Sequence, residues 1–125
     1  MAKVNRFEDL EVWQKAMKIA EDIYLLTRED KFAREYSIKD QIIRASISIS
    51  NNISEGFEYD NQKDFIKFLR YSKGSTGEVR NMITFLKRVG LVNEEFYLLI
   101  TNELVVLSKQ LYAFINYLKN HLPKK

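Results

Sequence analysis

The chain has 125 residues, 46% hydrophobic and 30% charged, with a formal net charge of +3. These values fit one ordinary folded domain, 1–125, and exclude a disordered polyelectrolyte. The absence of cysteine excludes disulfides and thiol chemistry, and one proline (Pro123) with four glycines leaves little punctuation for a many-stranded sheet.

Helices are the expectation, and the first covers about residues 9–28. Leu10, Trp13, Met17, Ala20 and Tyr24 make one stripe at spacings of three and four, and Val12, Ala16, Ile19, Ile23 and Leu26 make a second beside it. At about 100° per residue the two stripes cover roughly 200° of the helix, which predicts contact on two sides.

The second helix covers about residues 38–56, with Ser37 as its N-cap. Its stretch ASISISNNISEG alternates like a half-buried strand for four residues, 47–50. Ile38, Ile42, Ala45, Ile49 and Ile53 hold helical spacing for four turns, so the helix prevails. Gly56 takes the place of a C-terminal glycine, and Glu58, Tyr59, Asp60 and Asn61 supply the turn.

The third helix covers about residues 62–89, capped by Asn61 and stopped by Gly90. Its predicted core stripe is Phe65, Phe68, Ser72, Ser75, Val79, Ile83 and Leu86. Asn93 caps a fourth helix over about residues 93–121, where Ile100, Leu104, Leu107, Leu111, Phe114 and Leu118 follow a heptad rhythm. Short connections between four helices predict an all-α fold, an antiparallel up-down-up-down four-helix bundle. The apolar groups outside the main seams predict a homo-oligomer, with Val12, Ile19, Leu26, Val105 and Tyr112 at the interface. Scattered apolar surface residues are the plainer alternative.

Arg44, Ser48, Asn52 and Glu55 share a face of the second helix. They are expected to form a polar seam with Ser75 and Glu78 of the third, with Arg44 or Glu55 paired to Glu78 or Arg70. The other reading makes Arg44, Asn52 and Glu55 the lining of a pocket. Glu55 and Glu78 without a histidine are a poor metal-ligand set, so no metal site and no cofactor is expected.

The third helix also carries Lys63, Lys67, Arg70, Lys73, Arg80, Lys87 and Arg88 against only Asp64 and Glu78, which leaves the rest of the chain slightly acidic. A helix of this length, about 40 Å, can follow several phosphates of RNA or DNA. An ordinary solvated face has the same composition. The glycines of Gly74-Ser75-Thr76-Gly77 lack the strand and lysine of a phosphate loop and are expected to serve close helix packing. His121, the only histidine, lies at the end of the last helix, and no nucleophile motif is present; the expectation is a protein that is not an enzyme. The start MAKVNRFEDL lacks an apolar signal core, and no run is expected to reach membrane-spanning length, which reads as a cytoplasmic protein without a membrane partner.

Several blocks carry a resemblance: residues 7–16 (FEDLEVWQKA), Glu35-Tyr36, residues 41–45 (QIIRA), residues 48–56 (SISNNISEG), and Lys73-Gly74-Ser75 followed by Glu78. In these the chain resembles the four-helix-bundle proteins encoded in intervening sequences of bacterial large-subunit (23S) ribosomal RNA genes. Those are similar in turn to the accessory variability determinant of diversity-generating retroelements. The resemblance implies an antiparallel bundle associating as a ring-like homopentamer without enzymatic activity. For the retroelement relatives it also implies binding of nucleic acid and of a nucleic-acid enzyme, a reverse transcriptase. Two positions depart from the pattern: Ser50 stands where proline is usual, and Ala33 replaces the proline of a Phe-Pro pair. Without that proline the second helix should run straighter. The expected function is a non-catalytic oligomer that binds nucleic acid through the basic face; the alternative is a protein-interaction scaffold with no nucleic-acid contact.

Overall fold

The computed structural model describes residues 4–121; the two ends of the expected 1–125 domain, Pro123 included, lie outside the described residues. Four long helices follow in order: α1 (Glu11–Thr27), α2 (Tyr36–Glu58), α3 (Gln62–Arg88) and α4 (Glu94–Asn120). Short 3₁₀ turns at Phe7–Asp9 and Asp30–Phe32 precede α1 and α2. No strand occurs among the described residues, and the fold is the expected all-α four-helix bundle. The most extensive packing is between α2 and α3, then α3 and α4, and α1 meets α4 along the shortest seam. There Lys15 Nζ reaches Glu103 Oε2 at 2.6 Å.

Local signals set most helix ends. The Asn61 side chain accepts from the Asp64 N–H at 3.0 Å, and the Asn93 side chain accepts from the Phe96 N–H at 2.8 Å. Each satisfies an otherwise orphaned donor of a first turn. Gly90, at φ +85°, ends α3: its N–H reaches Lys87 O, and the Leu91 N–H reaches Leu86 O. This paired pattern needs a left-handed residue, which glycine adopts without steric cost. Ser37 is not the cap expected of it, because α2 already begins at Tyr36, behind Glu35, with no side-chain cap.

The disputed stretch is helical throughout. Ser46, Ser48, Ser50 and Ser54 each turn their hydroxyl back to the carbonyl three residues earlier, at 2.9–3.1 Å. The serines thereby satisfy themselves on their own helix, and the fully buried Ile42, Ile49 and Ile53 form its core edge. Gly56 differs from the expectation too. It lies inside α2, buried, and a methyl group there would stand 2.6 Å from Phe68 Cβ. It is a crossing point between helices and not a terminator.

The core follows the predicted stripes with shifts of one residue. On α3 the buried positions are Ile66, Leu69, Ser72, Thr76, Val79, Ile83 and Leu86. Phe65, Phe68 and Ser75 are half-buried beside them. On α4 Ile115 is buried where Phe114 was expected, and Phe114 packs edge-on against Phe65 with ring centroids 5.5 Å apart. Of the two α1 stripes, the Val12 stripe is buried throughout, whereas Tyr24 of the other is exposed. Val12, Ile19 and Leu26 therefore belong to this chain's own core and leave almost no surface for a second copy, which corrects their assignment to an oligomer interface. By length and composition α4 could span a membrane, contrary to the expectation that no run would be long enough. Yet Ile100, Leu104, Leu107 and Leu111 of the same helix are fully buried in the bundle.

Candidate nucleic-acid interface

All seven cations of α3 reach the surface: Lys63, Lys67, Arg70, Arg80 and Arg88 are exposed, and Lys73 and Lys87 half-buried. Their positions follow from the heptad geometry that buries the opposite side. Lys67 and Arg88 bracket Gly74 and Asn81 at steps of seven, and Lys63 and Arg70 lead to Gly77 and Thr84 at the same step. Each step of two turns advances about 10 Å along the helix. Lys73, Arg80 and Lys87 form the row nearest α4, where Lys73, Gly74, Thr76, Gly77, Arg80, Leu104 and Ser108 line a shallow groove of about 180 Å³.

Six of the seven form no ion pair among the described residues. Lys87 is the exception. Its Nζ lies 2.6 Å from Glu94 Oε2 and 4.7 Å from the centre of the Tyr97 ring, so it fastens the end of α3 to the start of α4. It also sits in the last turn, where the helix dipole favours a cation. The free cations are therefore Lys63, Lys67, Arg70, Lys73, Arg80 and Arg88.

Gly74 and Gly77 occupy the middle of this face, and a methyl group on either would meet nothing within 4 Å. The expected close helix packing is thus absent at both. The inward work of that tetrapeptide is done by Ser75, whose hydroxyl bonds that of Ser48 at 2.8 Å, and by the buried Thr76. The centre of the basic face is bare helix backbone with cations on either side.

The polar seam forms only in part. Ser48 and Ser75 join α2 to α3, and Ser72 Oγ donates to Ile49 O at 2.8 Å, a buried contact that the expected seam did not include. Asn52 donates to Ser48 O at 2.8 Å within its own helix. Arg44 pairs with Asp40 at 3.1 Å on the same helix, not with α3. Glu55 and Glu78 are exposed and make no ion pair among the described residues. The expected charge pairs across the seam do not form, because both groups point into water where an exposed pair contributes little. His121 is exposed, stacked on Tyr117 at 4.1 Å, with Nδ1 2.6 Å from the Tyr117 carbonyl oxygen.

Apolar surface remains elsewhere. Leu98, Val105 and Tyr112 stand seven residues apart on the outside of α4, with Leu98 57% and Tyr112 60% exposed and Val105 half-buried. Met17, Ala20, Tyr24, Leu25 and Ile47 line an apolar groove of about 470 Å³ between α1 and α2. On its rim the Lys18 ammonium is held above its ordinary range by its hydrogen bond to Asp22 and the attraction of that carboxylate. These groups are part of the apolar surface left over after the core has formed, whereas Ile19 and Leu26 of the Val12 stripe are spent inside it.

Comparison with known proteins supplies the family. No curated protein matches the chain. A crystal structure of a protein of unknown function from the S23 ribosomal protein family of Bacteroides thetaiotaomicron VPI-5482 is similar in fold, with a TM-score of 0.76 and 26% sequence identity. The alignment covers 83% of this chain and 97% of that one. Residues 8–113 match the family described as 23S rRNA-intervening sequence protein, and with nearly the whole bundle inside the match, the chain belongs to that family.

Proposed function

We propose that this chain is a non-catalytic, self-associating bundle that holds RNA or DNA by its phosphates on the outer face of α3. The observation carrying this reading is the set of six unpaired cations on one face of one helix. Unpaired surface cations bind a polyanion by displacing its condensed counterions, so they supply affinity without base specificity. The bare backbone at Gly74 and Gly77 favours the same reading, because it lets a strand approach the helix axis more closely than side chains would allow. RNA and DNA share the phosphate backbone this face would hold, and a short RNA serves as the first polyanion to test.

Self-association rests on the outer α4 column of Leu98, Val105 and Tyr112 and on the α1–α2 groove. Both are apolar, and a second copy would remove them from water. The pentameric ring is what the family resemblance implies. In such a ring one modest basic face per copy would act multivalently. The scaffold reading draws on the same apolar surfaces and leaves the cations merely solvated.

The experiment is RNA binding at two salt concentrations by the wild type and a variant carrying Lys67→Glu, Arg70→Glu and Arg80→Glu. Lys87 is left intact because it fastens α3 to α4. The expected result is at least a tenfold loss of affinity and a salt slope reduced by about two to three, since each lost phosphate contact removes roughly one unit or slightly less. Unchanged affinity and slope would overturn the nucleic-acid reading and leave the scaffold.

A further inference from the structure

One turn of α2 and about two of α3 frame a groove of about 260 Å³, lined by Ile38, Gln41, Asn81, Met82, Phe85 and Leu86. It differs from the apolar groove between α1 and α2 in carrying two side-chain amides around an aromatic ring. Phe85 is 53% exposed and joins none of the aromatic pairs among the described residues. Gln41 and Asn81 are exposed, and neither side chain hydrogen-bonds within the described part of the chain. Each amide offers both a donor and an acceptor.

We infer that this groove accepts one unstacked nucleobase, and hence that the ligand of the basic face is a single strand and not a duplex. The inference rests on the phosphate-binding reading of α3 and adds the class of nucleic acid to it. Asn81 belongs to the same seven-residue row as Lys67 and Arg88, and Arg88 lies one turn beyond Phe85. A strand whose phosphates follow that row passes along the mouth of the groove. A base turned toward α2 would lay its face on Phe85 and present its polar edge to the two amides. Aromatic stacking of this kind tolerates any base, and the Asn and Gln amides pair well with base edges. Bases inside a duplex are stacked and paired, and one would have to be flipped out to enter, a cost that a single strand largely avoids. An apolar side chain from another protein could cover Phe85, but it would bury the amides without partners, which is unfavourable.

The test compares a short single-stranded RNA with a duplex of equal length, binding to the wild type and to Phe85→Leu, with melting temperature and oligomeric state measured on both proteins. Leucine keeps the groove apolar while removing the stacking surface. The expected result is preference for the single strand by the wild type, and roughly a tenfold loss of single-strand affinity in Phe85→Leu. Duplex affinity, melting temperature and oligomeric state should stay unchanged. An Asn81→Ala variant should weaken single-strand binding in the same direction. Equal loss on both nucleic acids, no loss on either, or a changed oligomeric state in Phe85→Leu would overturn the inference, the last by assigning the groove to a protein interface. If the triple glutamate variant abolishes binding while Phe85→Leu does not, the base groove alone fails. If the wild type binds neither RNA at low salt, both readings fall.

Discussion

Gly56 and the pair Gly74 and Gly77 are the same residue type inside neighbouring helices, yet their surroundings are opposite. At Gly56 the next helix arrives so close that a Cβ would stand 2.6 Å from Phe68 Cβ, with the Phe65 ring at 3.2 Å. At Gly74 and Gly77 an added Cβ meets nothing within 4 Å. A glycine in a helix interior costs about 0.5–1 kcal/mol relative to alanine. At Gly56 the close approach of α3 offsets that cost. On the outer face nothing within the chain does, and neither residue has the positive φ that would call for glycine. The contrast separates a glycine that the helix crossing requires from glycines that the folded chain does not require.

Three substitutions sharpen this contrast. Gly56→Ala should have the largest effect, destabilising by about 1–3 kcal/mol because the nearest atom, Phe68 Cβ, moves only with the backbone of α3, so α2 and α3 must separate. A chemical denaturation midpoint equal to wild type would show that the crossing is looser than it looks. Ser72→Ala, at the buried α2–α3 contact to Ile49 O, should cost about 1 kcal/mol, the ordinary net value of a hydrogen bond. A neutral result by the same measurement would remove Ser72 from the forces that set this crossing. Gly77→Ala should do the reverse of Gly56→Ala, stabilising by about 0.5–1 kcal/mol through better helix propensity in open space. A loss of thermal stability there would mean the outer face is occupied within the protein's own assembly. A gain in stability with weaker RNA binding would place a ligand against that backbone.

Much of the bundle was legible in the residues. Asn61, Asn93 and Gly90 mark helix ends through contacts between residues three to five apart, so the chain carries them whatever the packing. The seven cations were equally plain, because charge on the far side of an apolar stripe must face solvent. What misled the reading was ambiguity between adjacent apolar positions. Phe65 and Ile66, or Phe68 and Leu69, fit a stripe equally well, and the smaller aliphatic member went inside while the rings packed at the margin against Phe57, Tyr59 and Phe114. The two stripes of α1 posed the same problem over five turns. Helical spacing alone sets Phe85 beside the cations, as a surface for a base or for another subunit, but the groove around it was not legible, since Gln41 and Phe85 are brought together only by the α2–α3 crossing.

The sequence by itself determined the number of helices, most of their limits, and the concentration of positive charge on the third, because periodicity, capping and charge are local properties. Only the tertiary structure decided which α1 stripe became core, which glycine became a crossing point, and which cation was used up in an ion pair. Those outcomes depend on neighbours from distant parts of the chain. A side chain's burial is fixed by what arrives opposite it, and the spacing of residues along one helix carries no record of that.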